Sequence, residues 1–324
     1  MARDVARPNL DGLERVYRLY CEGGHSRVLN CEPATALEEF YLAIVAFAER
    51  DLSTSLRRAQ GAARRAPESL LFEQSETYLR ALLAGGRSEV YETKDPFVAF
   101  IRSGGNVALY EATVAALRAS YDMLPPRTVL DIGVGSGMAL LPALTHGVKE
   151  VTLIDPATAM LEFTVHSLSS SGIVVKAWNG RMQDVVRKLD GTWDVAQATF
   201  SLQSIPPTER GAMLAWMRAH AQRVLLAEFD VPPFDSQLSP DHVAYVAQTY
   251  ERGLSEYVDE LASVGQGFLM PVMFGYFDRT VARVNYEQPT ALWVRDLRDA
   301  GFTHVAHRLL CPYWWAPAYF FSAR

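Results

Sequence analysis

Cysteine is scarce in this 324-residue chain: Cys21, Cys31 and Cys311 are the only three, and no two form a C-x-x-C pair. So small and scattered a set argues against a disulfide framework or a structural zinc site. It fits a reducing compartment, and a cytoplasmic location is expected. Long apolar runs are missing as well. No stretch approaches the ~18–20 residues of a membrane span, and the opening MARDVARPNLDGLERV lacks the apolar centre of a signal peptide. Positive charge is not in excess. Lys+Arg number 31 against 37 Asp+Glu, a net charge of -6. A general nucleic-acid or membrane-surface binder wants a basic face, so neither partner is expected.

What the chain does have is core-forming material. Hydrophobic residues make up 49% and charged residues 21%, which excludes a disordered chain. At ~100–200 residues per domain the length fits two domains, or one large domain with additions. Residues 1–95 read as all helix. ALEEFYLAIVAFAER (36–50) and LSTSLRRAQGAARRA (52–66) space apolar residues three and four apart. Pro67 closes the second of these, and a further helix over 68–85 stops at Gly85-Gly86. This front is expected to be a helical cap or dimerisation domain, with a homodimer as the assembly. Residues 96–126 form a linker helix preceding the next pattern.

From residue 127 the rhythm changes. RTVLDIG (127–133), VTLID (151–155), IVVKAW (173–178), WDVAQATFS (193–201) and RVLLAEFD (223–230) are short strand-like runs separated by helical stretches. Strands alternating with helices predict an α/β, doubly wound, mainly parallel sheet. Residues 231–285 interrupt the alternation with a helical insertion in which GFLMPVMFGYF shows no clear period. THVAHRLL and WAPAYFFSAR then predict a closing antiparallel hairpin, seven strands in all.

Asp131-Ile-Gly133-Val-Gly135-Ser-Gly137 ends the first strand and opens a helix, and Asp155 ends the second strand. Glycines there allow a tight turn and close approach of a ligand, and a carboxylate after the second strand can hold both hydroxyls of a ribose. A dinucleotide fingerprint would need a glycine at 138, which is Met. Asp131 would repel a pyrophosphate, but it suits a ligand carrying an ammonium and a sulfonium.

On these residues, LDIGVGSG with Asp155 and the strand order, the stretch 127–324 resembles the class I S-adenosylmethionine-dependent methyltransferases, whose Rossmann-like sheet has seven strands. The resemblance implies S-adenosyl-L-methionine as the cofactor. By position, Gly133, Gly135 and Gly137 would line its methionine part, with Asp131 near the amino group. Asp155 would hold the ribose, with Pro156 beside the adenine. Met182 and Gln183 would contact the adenine ring; the family's common aspartate at this point is Gln183 here, with Asp184 adjacent. Thr199 and Phe200 would stand where methyl group and acceptor meet. Upstream, FIRSGGNVALYEAT (100–113) occupies the place of a segment that folds over the donor. Arg102 there would meet the donor's carboxylate and Tyr110 would cover the site.

The front domain, SGGNVALY and the insertion with GFLMPVMFGYFD also resemble bacterial α-keto acid C-methyltransferases of specialised metabolism. That resemblance implies C-methylation at the β-carbon of a small α-keto acid. A carbon nucleophile needs an enolate, and hence a base and an electrophile. Glu228, Asp230, His242 and Tyr276 are the candidate catalytic residues. His242 and His307 are the candidate ligands of a divalent metal, zinc or iron. His304 and His307, three apart on one strand, face opposite ways, so only one of them can join His242. Acids in this region favour a cationic acceptor such as 5-guanidino-2-oxopentanoate. The aromatic residues frame phenylpyruvate or indolepyruvate equally well. Two alternatives stay open: a metal-free O- or N-methyltransferase of a small molecule, and a donor-binding module without catalysis.

Overall fold

The alternating runs from residue 127 build one seven-stranded sheet. The computed structural model describes residues 10–85 and 94–324. The strands are β1 (Thr128–Ile132), β2 (Glu150–Asp155), β3 (Val174–Asn179), β4 (Trp193–Thr199), β5 (Ala221–Phe229), β6 (Val305–Cys311) and β7 (Ala318–Ala323). Their order is β3-β2-β1-β4-β5-β7-β6. The first five are parallel, and β7 lies antiparallel between β5 and β6. This is the doubly wound, mainly parallel sheet that the strand alternation predicts, with its closing hairpin and a helical N-terminal region. The direction of winding reverses between β1 and β4, so the loops after these strands diverge and leave a crevice at their carboxyl ends.

The chain divides into two units. One comprises Val107–Pro233 and Arg283–Arg324 and contains the sheet. Its core lies on both faces. One face packs Leu130, Ile132, Ala196, Leu226 and Phe321 against Trp293 and Leu297. The other packs Val129, Leu153, Val195 and Leu225 against Leu117 and Tyr121. The central strands are buried over most of their length, which is why they read as largely apolar runs.

The other unit joins the described residues of Met1–Asn106 to Phe234–Ala282. Its helices include α1 (Asp11–Val28), α2 (Ala36–Ala48), α3 (Leu52–Arg65) and α4 (Leu70–Leu83). The inserted segment completes these helices chemically. Glu251 accepts from the amides of Leu70 and Leu71, both at 3.0 Å, and from Ser69 Oγ at 2.6 Å, so it caps α4 from outside. Tyr41 donates its buried hydroxyl to the carbonyl of Leu238 at 2.6 Å.

Several local expectations are refined. The helix after the glycine loop is a single turn, Leu140–Ala143. His304 precedes β6 rather than lying on it, its amide bonded to the carbonyl of Arg324. Leu261–Leu269 is wound as a π-helix and runs into a helix Met270–Gly275. Among the described residues no helix is long and apolar enough to cross a membrane.

Candidate active site

The crevice at the carboxyl ends of β1, β2 and β4 gathers the residues of the glycine motif. Gly133, Gly135 and Gly137 all have positive φ, 71°, 53° and 73°. At Gly133 the conformation and the space both require glycine, because a Cβ would run into Ser201 of the turn after β4. Asp155 organises the loop from β2. Its Oδ2 accepts from Gly135 N at 2.7 Å and its Oδ1 from Ala157 N at 2.8 Å. Each carboxylate oxygen keeps acceptor capacity beyond these bonds.

Asp131 lies below the loop, 1% exposed. Its Oδ2 accepts from Gln197 Nε2 at 2.6 Å, and Gln197 Oε1 in turn accepts from the Tyr121 hydroxyl. Asp131 Oδ1 is buried with no partner. Burial, with help from Asp155, pushes this carboxyl up to about 7, against the pull of Gln197. A buried acceptor of this kind beside an open glycine turn suits an ammonium donor. Gln197 and Tyr121 were not singled out by sequence reasoning. The available signal was a polar residue inside the buried run WDVAQATF.

The other proposed donor contacts are spread over the same unit, apart from Arg102. Pro156 is exposed after β2, while Met182 is buried in the sheet's core, 3% exposed. Gln183 Nε2 donates to Glu209 Oε2 at 3.0 Å. Thr199 ends β4, and Phe200 follows in a left-handed conformation, φ 55°. Tyr110 meets the Phe200 ring edge-on at 6.3 Å, and burial raises its hydroxyl. The Phe200 ring stacks on Phe229 at 4.8 Å, and Phe229 stacks on Tyr313 at 5.4 Å. Arg102 is exposed and belongs to the helical unit. The SGGN segment beside it is held by the insertion: Glu256 Oε2 accepts from Gly105 N at 2.8 Å, and Asn106 Nδ2 donates to the Tyr257 hydroxyl at 2.9 Å.

The candidate catalytic residues fall in two environments. Glu228 and Asp230 belong to the sheet unit and are engaged by backbone. Glu228 is fully buried, its Oε1 accepting from Leu202 N at 2.8 Å, and burial pushes its carboxyl up to about 8 against Arg210 and the backbone donors. Asp230 Oδ1 accepts from Thr290 N at 2.6 Å, at the start of the helix Thr290–Asp299. His242 and Tyr276 belong to the helical unit. His242 stacks on Phe234 at 4.5 Å, pairs Nδ1 with the carbonyl of Gln237 at 2.9 Å, and meets the Tyr276 ring edge-on at 6.4 Å. His307 is exposed on β6, stacked on Phe321. Among the described residues no group of three or more His, Cys, Asp and Glu side chains is placed to hold a metal ion. His242 belongs to the helical unit and His307 to the sheet unit, and neither is part of such a group.

Sheet order, glycine turn and the carboxylate after β2 together define the class I methyltransferase architecture. Residues 129–223 match the family model described as a methyltransferase domain. This stretch of the sheet unit is thus similar to methyltransferase domains. No curated protein matches the chain. Among solved structures it is similar to an O-methyltransferase family protein from Burkholderia thailandensis. That match is 16% identical with a TM-score of 0.47, over 95% of this chain and 82% of that one. Another is magnesium protoporphyrin IX methyltransferase from Synechocystis with bound SAH, 18% identical with a TM-score of 0.46, over 71% of this chain and 92% of that one.

Proposed function

We propose that the protein transfers a methyl group from S-adenosylmethionine to an oxygen or nitrogen of a small molecule. The observation that carries the donor is Asp131 Oδ1, buried without a partner beside the positive-φ glycine turn. When bound there, the donor supplies a methyl group on a sulfonium, activated for in-line displacement. Asp131 accepts from its ammonium, the turn 133–137 lets the methionine part approach the backbone, and Asp155 accepts from the ribose hydroxyls. The turn after β4 excludes water and aligns the acceptor, which is most of what such a displacement asks of a protein.

An oxygen or nitrogen acceptor is favoured because Glu228 Oε1 and Asp230 Oδ1, on the two candidate bases of the sheet unit, each accept from a backbone amide. The test is labelled S-adenosylmethionine with a panel of phenols, amines and α-keto acids, including 5-guanidino-2-oxopentanoate, read by mass spectrometry. Label on oxygen or nitrogen is expected. A new carbon–carbon bond on a keto acid would overturn the choice of acceptor atom, and the absence of any donor binding by calorimetry would overturn the donor site.

A further inference from the structure

The turn after β4 carries strain that something must hold. Phe200 adopts φ 55°, a conformation that is strained for a bulky side chain and persists only where its surroundings impose it. Phe200 N donates to the carbonyl of Ala227 at 2.7 Å, and Ser201 Oγ donates to the carbonyl of Ile132 at 2.6 Å. The turn is thereby tied to β5 on one side and to the end of β1 on the other, with Ser201 against Gly133.

Below the turn lie two buried ionisable side chains, both 0% exposed: Glu228 on β5 and Arg210 on the helix Pro207–His220. Each grips the same stretch of backbone. Glu228 Oε1 accepts from the amide of Leu202 at 2.8 Å, and the neighbouring Gln203 amide favours its charged form. Arg210 Nη2 donates to the carbonyls of Ile205 at 3.0 Å and Tyr286 at 2.6 Å, and Tyr286 N donates to the carbonyl of Gln203 at 2.7 Å. The guanidinium is itself held 4.3 Å over the Trp293 ring, with Asp296 at 3.9 Å from Nη1. The two side chains do not bond directly to each other: Glu228 Oε2, Arg210 Nε and Arg210 Nη1 all lack a hydrogen-bond partner. A buried pair that leaves direct bonds unmade adds little to stability, so its position under a strained turn calls for another explanation.

We propose that Glu228 and Arg210 are positioning residues which clamp residues 200–205 in the strained form that closes the methionine side of the donor site. In this role Glu228 acts on the backbone of the turn through its bond from Leu202 N. The clamp acts through the turn, and Ser201 against Gly133 transmits it to the glycine loop.

Resting on the donor site proposed above, the test uses the full chain, S-adenosylhomocysteine as the probe, and amide hydrogen exchange. In Glu228→Ala, exchange at Leu202 should accelerate about tenfold or more, and S-adenosylhomocysteine affinity should fall by a similar factor, as expected for losing a buried acceptor. Glu228→Gln keeps an oxygen for Leu202 and should rescue both. Amides in the middle of β4 and β5 should stay protected in either variant. If Glu228→Ala fails to fold, Glu228→Asp, one methylene short of the amide, should give the same local split. Wild-type affinity and exchange in Glu228→Ala would overturn the clamp, as would faster exchange across the whole sheet with affinity unchanged. A wild-type chain that binds no S-adenosylhomocysteine would instead sink the donor site, and the exchange split would still decide whether Glu228 holds the turn.

Discussion

Gln197 donates its side-chain amide to Asp131 Oδ2 at 2.6 Å, and both residues are shut inside the sheet. The bond aims the carboxylate, and Tyr121 fixes Gln197 by donating to its other end. Burial raises the Asp131 carboxyl to about 7, so it changes charge within the neutral range. A carboxylate attracts the donor's ammonium and a neutral acid does not. Affinity for S-adenosylmethionine should therefore rise as pH passes upward through about 7. Gln197→Leu removes a donor that favours the charged form and should move this rise to higher pH. Asp131→Asn should flatten it and weaken binding at pH 8. Calorimetric titrations between pH 5.5 and 8.5 check all three, and a pH-independent wild-type affinity would remove Asp131 from the site.

Asp155 joins the loop after β1 to the end of β2 through Gly135 N and Ala157 N. Asp155→Ala deletes the acceptor for two amides as well as for the ribose hydroxyls. At ~1.5–3 kcal/mol for hydrogen bonds to a charged group, donor affinity should fall about 10- to 100-fold. Asp155→Asn keeps one acceptor oxygen and should lose less. Calorimetry with S-adenosylhomocysteine reads both, and an unaltered affinity in Asp155→Ala would exclude the ribose contact.

The parts of this molecule that were legible in the sequence are the local ones. Buried parallel strands are continuous β-branched runs, and the glycine turn with Asp131 and Asp155 spans only 25 residues by the chain numbering, so Rossmann-like topology and donor loop could both be read from residues 127–155. What could not be read depends on contacts distant in sequence. The amide bonded to Glu228 comes from residue 202, and the one bonded to Asp230 comes from residue 290. The grouping of 234–282 with the first helices rests on pairs such as Glu251 with Ser69 and Gln266 with Gln74, more than 180 positions apart. GFLMPVMFGYF (267–277) showed no clear period because it straddles the end of the π-helix Leu261–Leu269 and the short helix Met270–Gly275, which differ in repeat.

Gly104 stands at φ 54° with its absent Cβ 2.6 Å from Tyr257 Cζ. Gly104→Ala combines a left-handed alanine with a clash against a buried ring, and should cost about 2–4 kcal/mol. Tyr257→Phe removes the acceptor for Asn106 Nδ2, which keeps the carbonyl of Phe100 at 2.9 Å, and should cost only about 1 kcal/mol. Urea unfolding ranks the two. A Tyr257→Phe loss as large as that of Gly104→Ala would mean the hydroxyl, rather than the close approach of ring and backbone, dominates here.

Glu228 should also leave a signature in the pH dependence of stability. Its carboxyl is raised from the ordinary 4.5 to about 8 in the folded chain, by burial first and with Glu287 adding to it, while Arg210 and the backbone donors oppose. Below about 4.5 the group is protonated in both folded and unfolded states, and its contribution is fully present. As pH rises from there, the unfolded chain releases the proton while the folded chain retains it, so the folded state binds more protons and stability falls until pH passes about 8. Asp131, raised to about 7, has the same sign, but it is unchanged by a substitution at position 228 and cancels in a comparison. Glu228→Gln never ionises. Its unfolding free energy, measured in urea at pH 5, 6.5 and 8, should therefore gain steadily on that of the wild type across this window and level off above it. A constant difference between the two proteins would show that the Glu228 carboxyl ionises at its ordinary value, with Arg210 close enough to repay its burial.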